Sequence, residues 1–453
     1  MFAKVKQIFM PKNRDLRKRI LFTLAALFVF KLGTSIIVPG VNVNTKGMDF
    51  LEVINAMSGG AFQNASIFAL GVTPYITAQI IIQLLSADIV PYLSELSKQG
   101  GVGRRKLNQI TRVLGIALAF LQGYMYSYAY IGNGTAMDYM TYSIILAAGT
   151  ALLMWIGDEI TLKGIGNGMS LIIMAGIICV FPNMFVNLAN ELIPTGFLGI
   201  LQFIMFILVF VGIIVGVIYV ETAERRLPIQ YANKSTSMLG RQNYIPFKLN
   251  SAGVMPVIFA SALLSVPQII SSVIKNDGFT VFVKKFLTYN SGYGFILYMV
   301  LILAFAYLYT FMQLKPKEMA ENLNQNGGYI PGIRPGKETT EYVKTVLSRI
   351  TIVGASLLTV LAILPIIFDK ISNLTTSISI SGTGLLIVVG VALETYKQIE
   401  SQLVSNSYEK GRKGRSRRWK VLYWLLLRLL EKAQKHVYYT KNMEYHIFLQ
   451  VIF

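Results

Sequence analysis

The apolar residues of this chain fall into ten long runs separated by polar loops. The runs cover residues 20–38, 72–86, 113–131, 140–157, 169–182, 198–220, 252–273, 294–314, 350–368 and 382–396. A helix of about 20 apolar residues crosses the hydrocarbon core of a bilayer, and several of these runs are short or interrupted by Gly or Pro. The pattern predicts an all-α polytopic membrane protein with ten transmembrane helices.

The stretch from residue 50 to residue 86 looks like a broken membrane segment. Its first part is an apolar stripe that ends in small residues: Phe50, Leu51, Val53, Ile54, Met57, Ser58, Gly59 and Gly60. About two helical turns cannot cross a bilayer, and a broken backbone at membrane depth must be buried in protein or face a water-filled cavity. The stretch therefore predicts a half-inserted helix beside a pore or cavity. The alternative is a surface amphipathic helix followed by an ordinary kinked span.

Composition supports a membrane protein. Of 453 residues, 54% are hydrophobic and 14% charged, whereas about a quarter of the residues of soluble proteins are charged. The first apolar run has spanning length, so we expect no cleavable signal peptide. A single cysteine, Cys179, excludes an internal disulfide or a thiolate metal cluster, and both histidines, His436 and His446, lie in the tail. We expect no metal and no cofactor.

The basic residues are distributed unevenly between the two sides of the membrane. With alternating spans, 36 of the 42 Lys and Arg residues lie on the side of the N-terminus and five on the opposite side. The positive-inside rule then places both termini in the cytoplasm. The loops 221–251 and 315–349 are longer than a connection between spans requires. They serve either topology and anionic lipid or the docking of a partner.

The two halves of the chain resemble each other. Residues 71–78 and 253–260 share the frame G-V-x-P-x-I-x-A, and a second set of positions matches at an offset of 214: Gly168, Leu171, Ile173 and Gly176 with Gly382, Leu385, Ile387 and Gly390. The first pair of frames opens spans that run in opposite directions, which is typical of an inverted repeat. We predict two pseudo-symmetric five-helix halves, 1–190 and 191–404, and a basic tail, 405–453.

The spans contain few groups capable of chemistry. Lys31 is the one central charge, whereas ion-coupled carriers use charged residues near the midplane. No H-E-x-x-H motif or carboxylate pair indicates an intramembrane enzyme, so we expect no catalytic residue. A polypeptide channel and a solute transporter remain as alternatives. Aliphatic residues flank the helix breaks, and they either pack ordinarily or form a hydrophobic constriction that gates by dewetting. They are Val72, Ile76, Ile173, Ile177, Ile258 and Ile387.

Several long motifs resemble the SecY family, the channel subunits of the bacterial protein translocase. They include SGGAFQNASIFALGVTPYITAQIIIQLL, KQGGVGRRKLNQITR, NSAGVMPVIFASALL and AENLNQNGGYIPGIRPGKETTEYV. They occur in order across residues 15–404. The resemblance implies a ten-span pore that carries unfolded secretory polypeptides and releases hydrophobic segments sideways into lipid.

The family also implies roles for particular residues. The six aliphatic residues named above would form the pore ring, and the segment at about 50–63 would be the plug. The lateral gate would lie between spans 2–3 and 7–8, near Thr77, Gln122 and Ala262. The long loops would receive the SecA motor or the ribosome through Arg225, Arg226, Arg241 and Arg334.

The resemblance further implies a bacterial plasma-membrane protein with SecE-like and SecG-like small subunits. Its other partners would be signal peptides and anionic lipid. The sequence departs from the family at Val72, which is smaller than isoleucine, and in the tail after Val404. The tail's apolar run, 421–430, suits a helix on an anionic membrane surface. A non-functional extension is the equal alternative.

Overall fold

The computed structural model describes residues 14–38, 58–62, 64–87, 89–131, 134–231, 243–273, 277–288, 291–372 and 384–403. The predicted tail, the plug residues 50–57 and Arg241 lie outside these ranges. The chain divides into two compact units, of which Arg19–Thr395 is by far the larger. The smaller one consists of Met1–Lys18 and Tyr396–Phe453, and its described residues, 14–18 and 396–403, are helical.

The described residues are mostly helical. The helices are α1 (Arg14–Thr34), α2 (Thr73–Ser86), α3 (Pro91–Lys98), α4 (Gly100–Ile131), α5 (Ala136–Lys163), α6 (Gly168–Leu192), α7 (Phe197–Thr222), α8 (Met255–Val273), α9 (Asp277–Phe286), α10 (Gly292–Gln313), α11 (Pro316–Gln325), α12 (Lys337–Ser372) and α13 (384–403). The strands are β1 (Glu224–Tyr231), β2 (Asn243–Lys248) and β3 (Gly328–Tyr329).

Each of the ten predicted spans corresponds to a helix, but the helix ends differ from the ends of the apolar runs. Helix α4 begins at Gly100 and α12 at Lys337, each 13 residues before its apolar run. At 1.5 Å per residue the 36 residues of α12 extend about 54 Å, well beyond the bilayer core. An apolar run marks only the part of a helix that lies in lipid. The hydrogen-bonded backbone can continue as a helix into water, so the helix is longer than the run.

Helix α1 corrects the position of one predicted charge. It ends at Thr34, whose Oγ1 donates a hydrogen bond of 2.7 Å to the carbonyl oxygen of Lys31. Lys31 therefore lies in the last turn rather than at the centre of a span, and it is exposed. A cation near a helix C-terminus interacts favourably with the helix dipole, which explains the charge without a role in transport.

Among the described residues, five helices are long and apolar enough to span a membrane by themselves, and the pair α2–α3, bent by 94°, is a sixth candidate. Helix α7 is the most apolar, with a mean hydropathy of 3.1 over a window of which only 22% is buried. Such a surface is compatible with lipid rather than with water.

Polar side chains define several helix starts. Thr135 and Asp138 form a capping box before α5, in which the Thr135 N–H donates to Asp138 Oδ2 at 2.9 Å. Asn167 Oδ1 accepts from the Met169 N–H at 3.2 Å at the start of α6. These caps satisfy backbone donors that the first helical turn leaves free, so α5 and α6 begin at fixed points.

The repeated frame has the same backbone conformation in both halves. Gly71 has a φ of +56° and Gly253 a φ of +64°, and each precedes its helix by two residues. Glycine adopts this left-handed conformation at little cost. The proline three residues after each glycine fits the first turn of a helix, where its missing N–H has no helical partner. The shared geometry supports the predicted repeat.

The strands form a small antiparallel sheet in the order β2-β1-β3, which the pattern of apolar residues did not predict. Strand β1 pairs with β2 from Glu224 opposite Lys248 to Ile229 opposite Asn243, and with β3 at Gln230 and Tyr231. Buried Leu227 and Ile229 alternate with exposed neighbours along β1, which is the period-two pattern of a half-buried strand.

Candidate functional site

All six predicted ring residues are buried and belong to one hydrophobic cluster. Their exposed fractions are 2% for Val72, 4% for Ile76, 3% for Ile173, 2% for Ile177, 2% for Ile258 and 3% for Ile387. They come from four elements: α2 with the turn before it, α6, α8 and α13. Residues more than 300 positions apart in the sequence thus share one apolar centre.

Glycines allow the four elements to approach closely. Ile177 Cγ2 lies 2.9 Å from the position that a Cβ on Gly384 would occupy, so α13 begins directly against α6. A Cβ on Gly390 would overlap Val254 Cγ1 immediately before α8. The absence of side chains at these two points is what brings Ile177, Ile258 and Ile387 into the same cluster.

A small cavity of about 50 Å³ adjoins the ring. Ile76, Ile173 and Ile258 line one part of it, and the polar residues Gln79, Asn167 and Ser170 line another. Its remaining lining residues are Tyr75, Met169, Met255 and Phe259. The ring therefore has a polar space at its border, between α2, α6 and α8.

The described end of the predicted plug packs next to the ring. Ser58 is buried, and its Oγ accepts a hydrogen bond of 3.2 Å from the Phe62 N–H. A Cβ on Gly59 would lie 3.1 Å from the Cα of Gly176, one residue before Ile177. Gly59 and Gly60 have φ values of +72° and +84°, so this tight turn uses conformations that favour glycine. The remaining predicted plug residues lie outside the described part of the chain.

The residues predicted for the lateral gate lie on three helices that contact one another. Helix α8 packs against both α2 and α4. Gln122 on α4 and Ala262 on α8 are 6% and 3% exposed, while Thr77 on α2 is half-buried and donates from Oγ1 to the Thr73 carbonyl at 3.1 Å. Helix α8 therefore contacts both helices on which the other two residues lie, and their role in a lateral gate stays a prediction.

The predicted docking arginines that are described all lie exposed on the loop region around the sheet. Arg225 and Arg226 project from β1, and Arg334 lies in the turn before α12. Arg226 Nε donates to Glu224 Oε1 at 2.8 Å, and this hydrogen bond raises the pKa of the Arg226 guanidinium. The same guanidinium lies over the ring of Tyr244 on β2, with its Cζ 4.8 Å from the ring centroid. These contacts orient Arg226 on the strand.

The sheet joins the two long loops into one packed body. Strands β1 and β2 come from the loop 221–251, and β3 comes from the loop 315–349. Tyr329 Oη donates to Gln230 Oε1 at 2.9 Å across the two loops. Beneath them a hydrophobic cluster joins the strands to α11 and α12: Leu227, Ile229, Phe247, Leu323, Ile330, Val343, Val346, Leu347 and Ile350. Sequence reasoning missed this link, although the alternation along β1 was a usable signal.

Two hydrogen bonds fix the chain where it passes from this body into α8. Asn250 Nδ2 donates to Glu221 Oε1 and, at 2.9 Å, to the Gly253 carbonyl. Asn250 and Glu221 are 5% and 8% exposed. Buried polar groups that are paired in this way stabilise one geometry, here the junction of α7 with the start of α8.

The described helices and their buried apolar centre define a polytopic helical membrane protein, and its fold is that of solved protein-conducting channels. A solved structure described as that of a protein conducting channel matches with a TM-score of 0.66 and 19% identity, over 86% of this chain and 93% of that one. Sec61 in the canine ribosome–channel complex from the endoplasmic reticulum matches with a TM-score of 0.63 and 19% identity, over the same shares. Channels of this fold have ten spanning helices, which confirms the predicted fold class.

The chain belongs to the SecY family. The sequence model of that family, described as SecY, matches residues 66–396. The protein translocase subunit SecY of Bacillus licheniformis is 44% identical over 427 residues, which cover 90% of this chain and 99% of the relative. The same subunit of Staphylococcus aureus is 44% identical over 426 residues, covering 89% and 98%. The resemblance seen in the motifs is confirmed, and the solute-transporter alternative is set aside.

Proposed function

We propose that this chain is the central pore subunit of a channel that moves unfolded secretory polypeptides across the bacterial plasma membrane. The observation that carries the proposal is the burial of six aliphatic side chains, drawn from both halves of a SecY-family chain, in one cluster. Transport by passage through such a ring needs no catalytic group in this subunit, since the driving force comes from a partner.

The ring acts as a seal because branched apolar side chains exclude water and ions when they meet. A constriction of this kind gates by dewetting, and without strong binding groups it releases a passing chain as readily as it admits one. The Ser58–Gly60 turn adds a second closure. It lies against Gly176 beside the ring, so displacement of the plug would open the space next to Ile177.

The seam between α8 and the pair α2–α4 is the route by which hydrophobic segments leave sideways. A segment of about 20 apolar residues partitions from a pore into lipid. When α8 moves away from α2 and α4, such a segment is exposed to lipid while the other contacts between helices stay closed. Thr77, Gln122 and Ala262 would line that path, and residues 1–190 and 191–404 would be the two halves that separate.

The sheet region receives the cytosolic partner, either the SecA motor or the ribosome. Arg225, Arg226 and Arg334 lie exposed on it, and Arg241 belongs to the same loop. Both termini are cytoplasmic in this arrangement, in line with the excess of basic residues on that side. SecE-like and SecG-like small subunits complete the complex in the membrane, signal peptides enter it, and anionic lipid surrounds it.

Crosslinking of a stalled secretory chain tests the proposal directly. A photoreactive residue replaces Ile76, Ile177 or Ile258 in the assembled complex, and a fourth variant carries it at Ile172. Ile172 lies on α6 like Ile177, but its Cδ1 lies 3.4 Å from where a Cβ on Gly157 of α5 would be. We expect adducts from the first three positions and none from Ile172. Equal yields at all four, or none at the ring, would contradict a central pore.

A further inference from the structure

The short helix α9 combines a row of exposed aromatic side chains with two lysines. Phe282 and Phe286 lie 5.1 Å apart between ring centroids, and Tyr293 at the start of α10 continues the row at 5.2 Å from Phe286. The exposed fractions of the three side chains are 50%, 37% and 60%. Exposed aromatic side chains next to spanning helices are typical of the membrane–water interface.

The helix attaches to the protein by a different face. Val283 is only 2% exposed and marks the side of α9 that is buried, and α9 packs against both α8 and α10. Gln268 Nε2 on α8 donates to the Leu287 carbonyl, just after α9, at 3.2 Å. The helix therefore joins the ends of α8 and α10 and leaves its aromatic row outside.

The two lysines differ in their position relative to that row. At about 100° per residue, Lys285 is about 60° from Phe282 around the helix, whereas Lys284 is about 160° away. Lys285 Nζ lies 5.7 Å from the ring centroid of Phe286. Both lysines are exposed. Lys285 and the aromatic row therefore form one amphipathic edge of the helix, and Lys284 lies away from it. On this edge the rings can insert at the acyl boundary, and the ammonium group can bind a lipid headgroup.

We propose that α9 is an interfacial helix that binds the phosphate headgroups of anionic lipids in the outer leaflet through Lys285, with Phe282 and Phe286 inserted at the acyl boundary. Aromatic and basic residues on one edge suit an interfacial helix, which binds through buried apolar area and attraction to anionic lipid. The identity of the leaflet follows from the proposed topology, but lipid binding itself does not depend on protein transport. A bound lipid at this position would hold one end of α8, the helix that forms one wall of the seam.

Local fluorescence quenching tests this without any translocation assay. Phe282→Trp is introduced into the full complex after the three native tryptophans have been replaced by Phe, and the complex is reconstituted into nanodiscs. Quenching by brominated phosphatidylglycerol is compared with quenching by brominated phosphatidylcholine at the same mole fraction. We expect an apparent preference of about fivefold for the anionic lipid, the equivalent of about 1 kcal/mol for one basic residue near an anionic surface.

The neighbouring lysine provides a matched control. Lys285→Gln is expected to bring the two quenching values to parity, and Lys284→Gln to leave the preference unchanged. Equal loss in both variants would overturn the assignment to the aromatic edge. Strong quenching by aqueous acrylamide without quenching by lipid would overturn the proposal, as would protection from both, because the face would then be covered by protein. A failure here leaves the crosslinking result at the ring unaffected, so the two proposals are tested separately.

Discussion

Replacing Ile177 with asparagine perturbs the ring at one of its most enclosed points. Ile177 is 2% exposed and lies against Gly384 at the start of α13. Moving a fully buried isoleucine side chain into water costs about 1.5–3 kcal/mol. A buried amide that finds no partner costs about 1–3 kcal/mol more. The sealed arrangement should therefore lose about 2.5–6 kcal/mol in total, whereas a hydrated, open ring solvates the amide.

This difference shifts the balance between the sealed and the open ring by a factor of roughly 60 to roughly 20,000, since each 1.4 kcal/mol is a factor of about ten. The assay is single-channel conductance of the purified complex in planar bilayers without a substrate. We expect the Ile177→Asn complex to conduct ions at rest, while the original complex remains silent.

Ile172→Asn separates sealing from general stability. Ile172 is on the same helix and is 0% exposed, but it packs towards α5. Both variants should lower the melting temperature, because both bury an amide. Only Ile177→Asn should leak, since the α5–α6 contact does not form the seal. A silent Ile177→Asn complex, or equal leak from Ile172→Asn, would refute the reasoning.

Three further predictions concern the docking turn, the plug and the junction before α8. Arg334→Glu should abolish motor-driven export by inverted vesicles, while the channel still inserts into the membrane. Lys337 is an exposed residue on α12, and the control variant Lys337→Glu should retain most of the export. Similar export by both variants would contradict a docking role for Arg334. Gly59→Ala should raise the ion conductance of the resting channel, because a left-handed φ of +72° costs a residue with a side chain about 1–2 kcal/mol and the added methyl group contacts α6. An unchanged resting conductance would contradict the proposal that this turn helps to close the channel. Asn250→Ala should lower the free energy of unfolding by about 1–3 kcal/mol, since it removes a hydrogen bond to the buried Glu221 carboxylate and one to the partly buried Gly253 carbonyl, while Ser251→Ala, at an exposed hydrogen bond, should change it by less than about 0.5 kcal/mol. Thermal unfolding in detergent measures both, and equal shifts would contradict a stabilising role of Asn250 at this junction.

The sequence by itself determined the membrane character, the ten spans and the candidate ring. Apolar runs of spanning length are a local property, because lipid solvates each helix individually and leaves few other solutions. The paired G-V-x-P frames likewise marked the starts of α2 and α8, which Gly71 and Gly253 precede by two residues, because glycine and proline act on the backbone at single positions. The roles of Val72, Ile258 and the other ring residues remain predictions that rest on family resemblance.

The tertiary structure decided the features that depend on contacts between distant segments. Whether Ile177 and Ile387 share a cluster depends on how closely α13 approaches α6, which Gly384 permits but no local pattern specifies. The pairing of β1 with β3 across about 100 residues and the position of α9 on α8 and α10 are of the same kind. Hydropathy measures the affinity of a segment for lipid or water, whereas the packing of helices against one another is set by the shapes of the surfaces that meet.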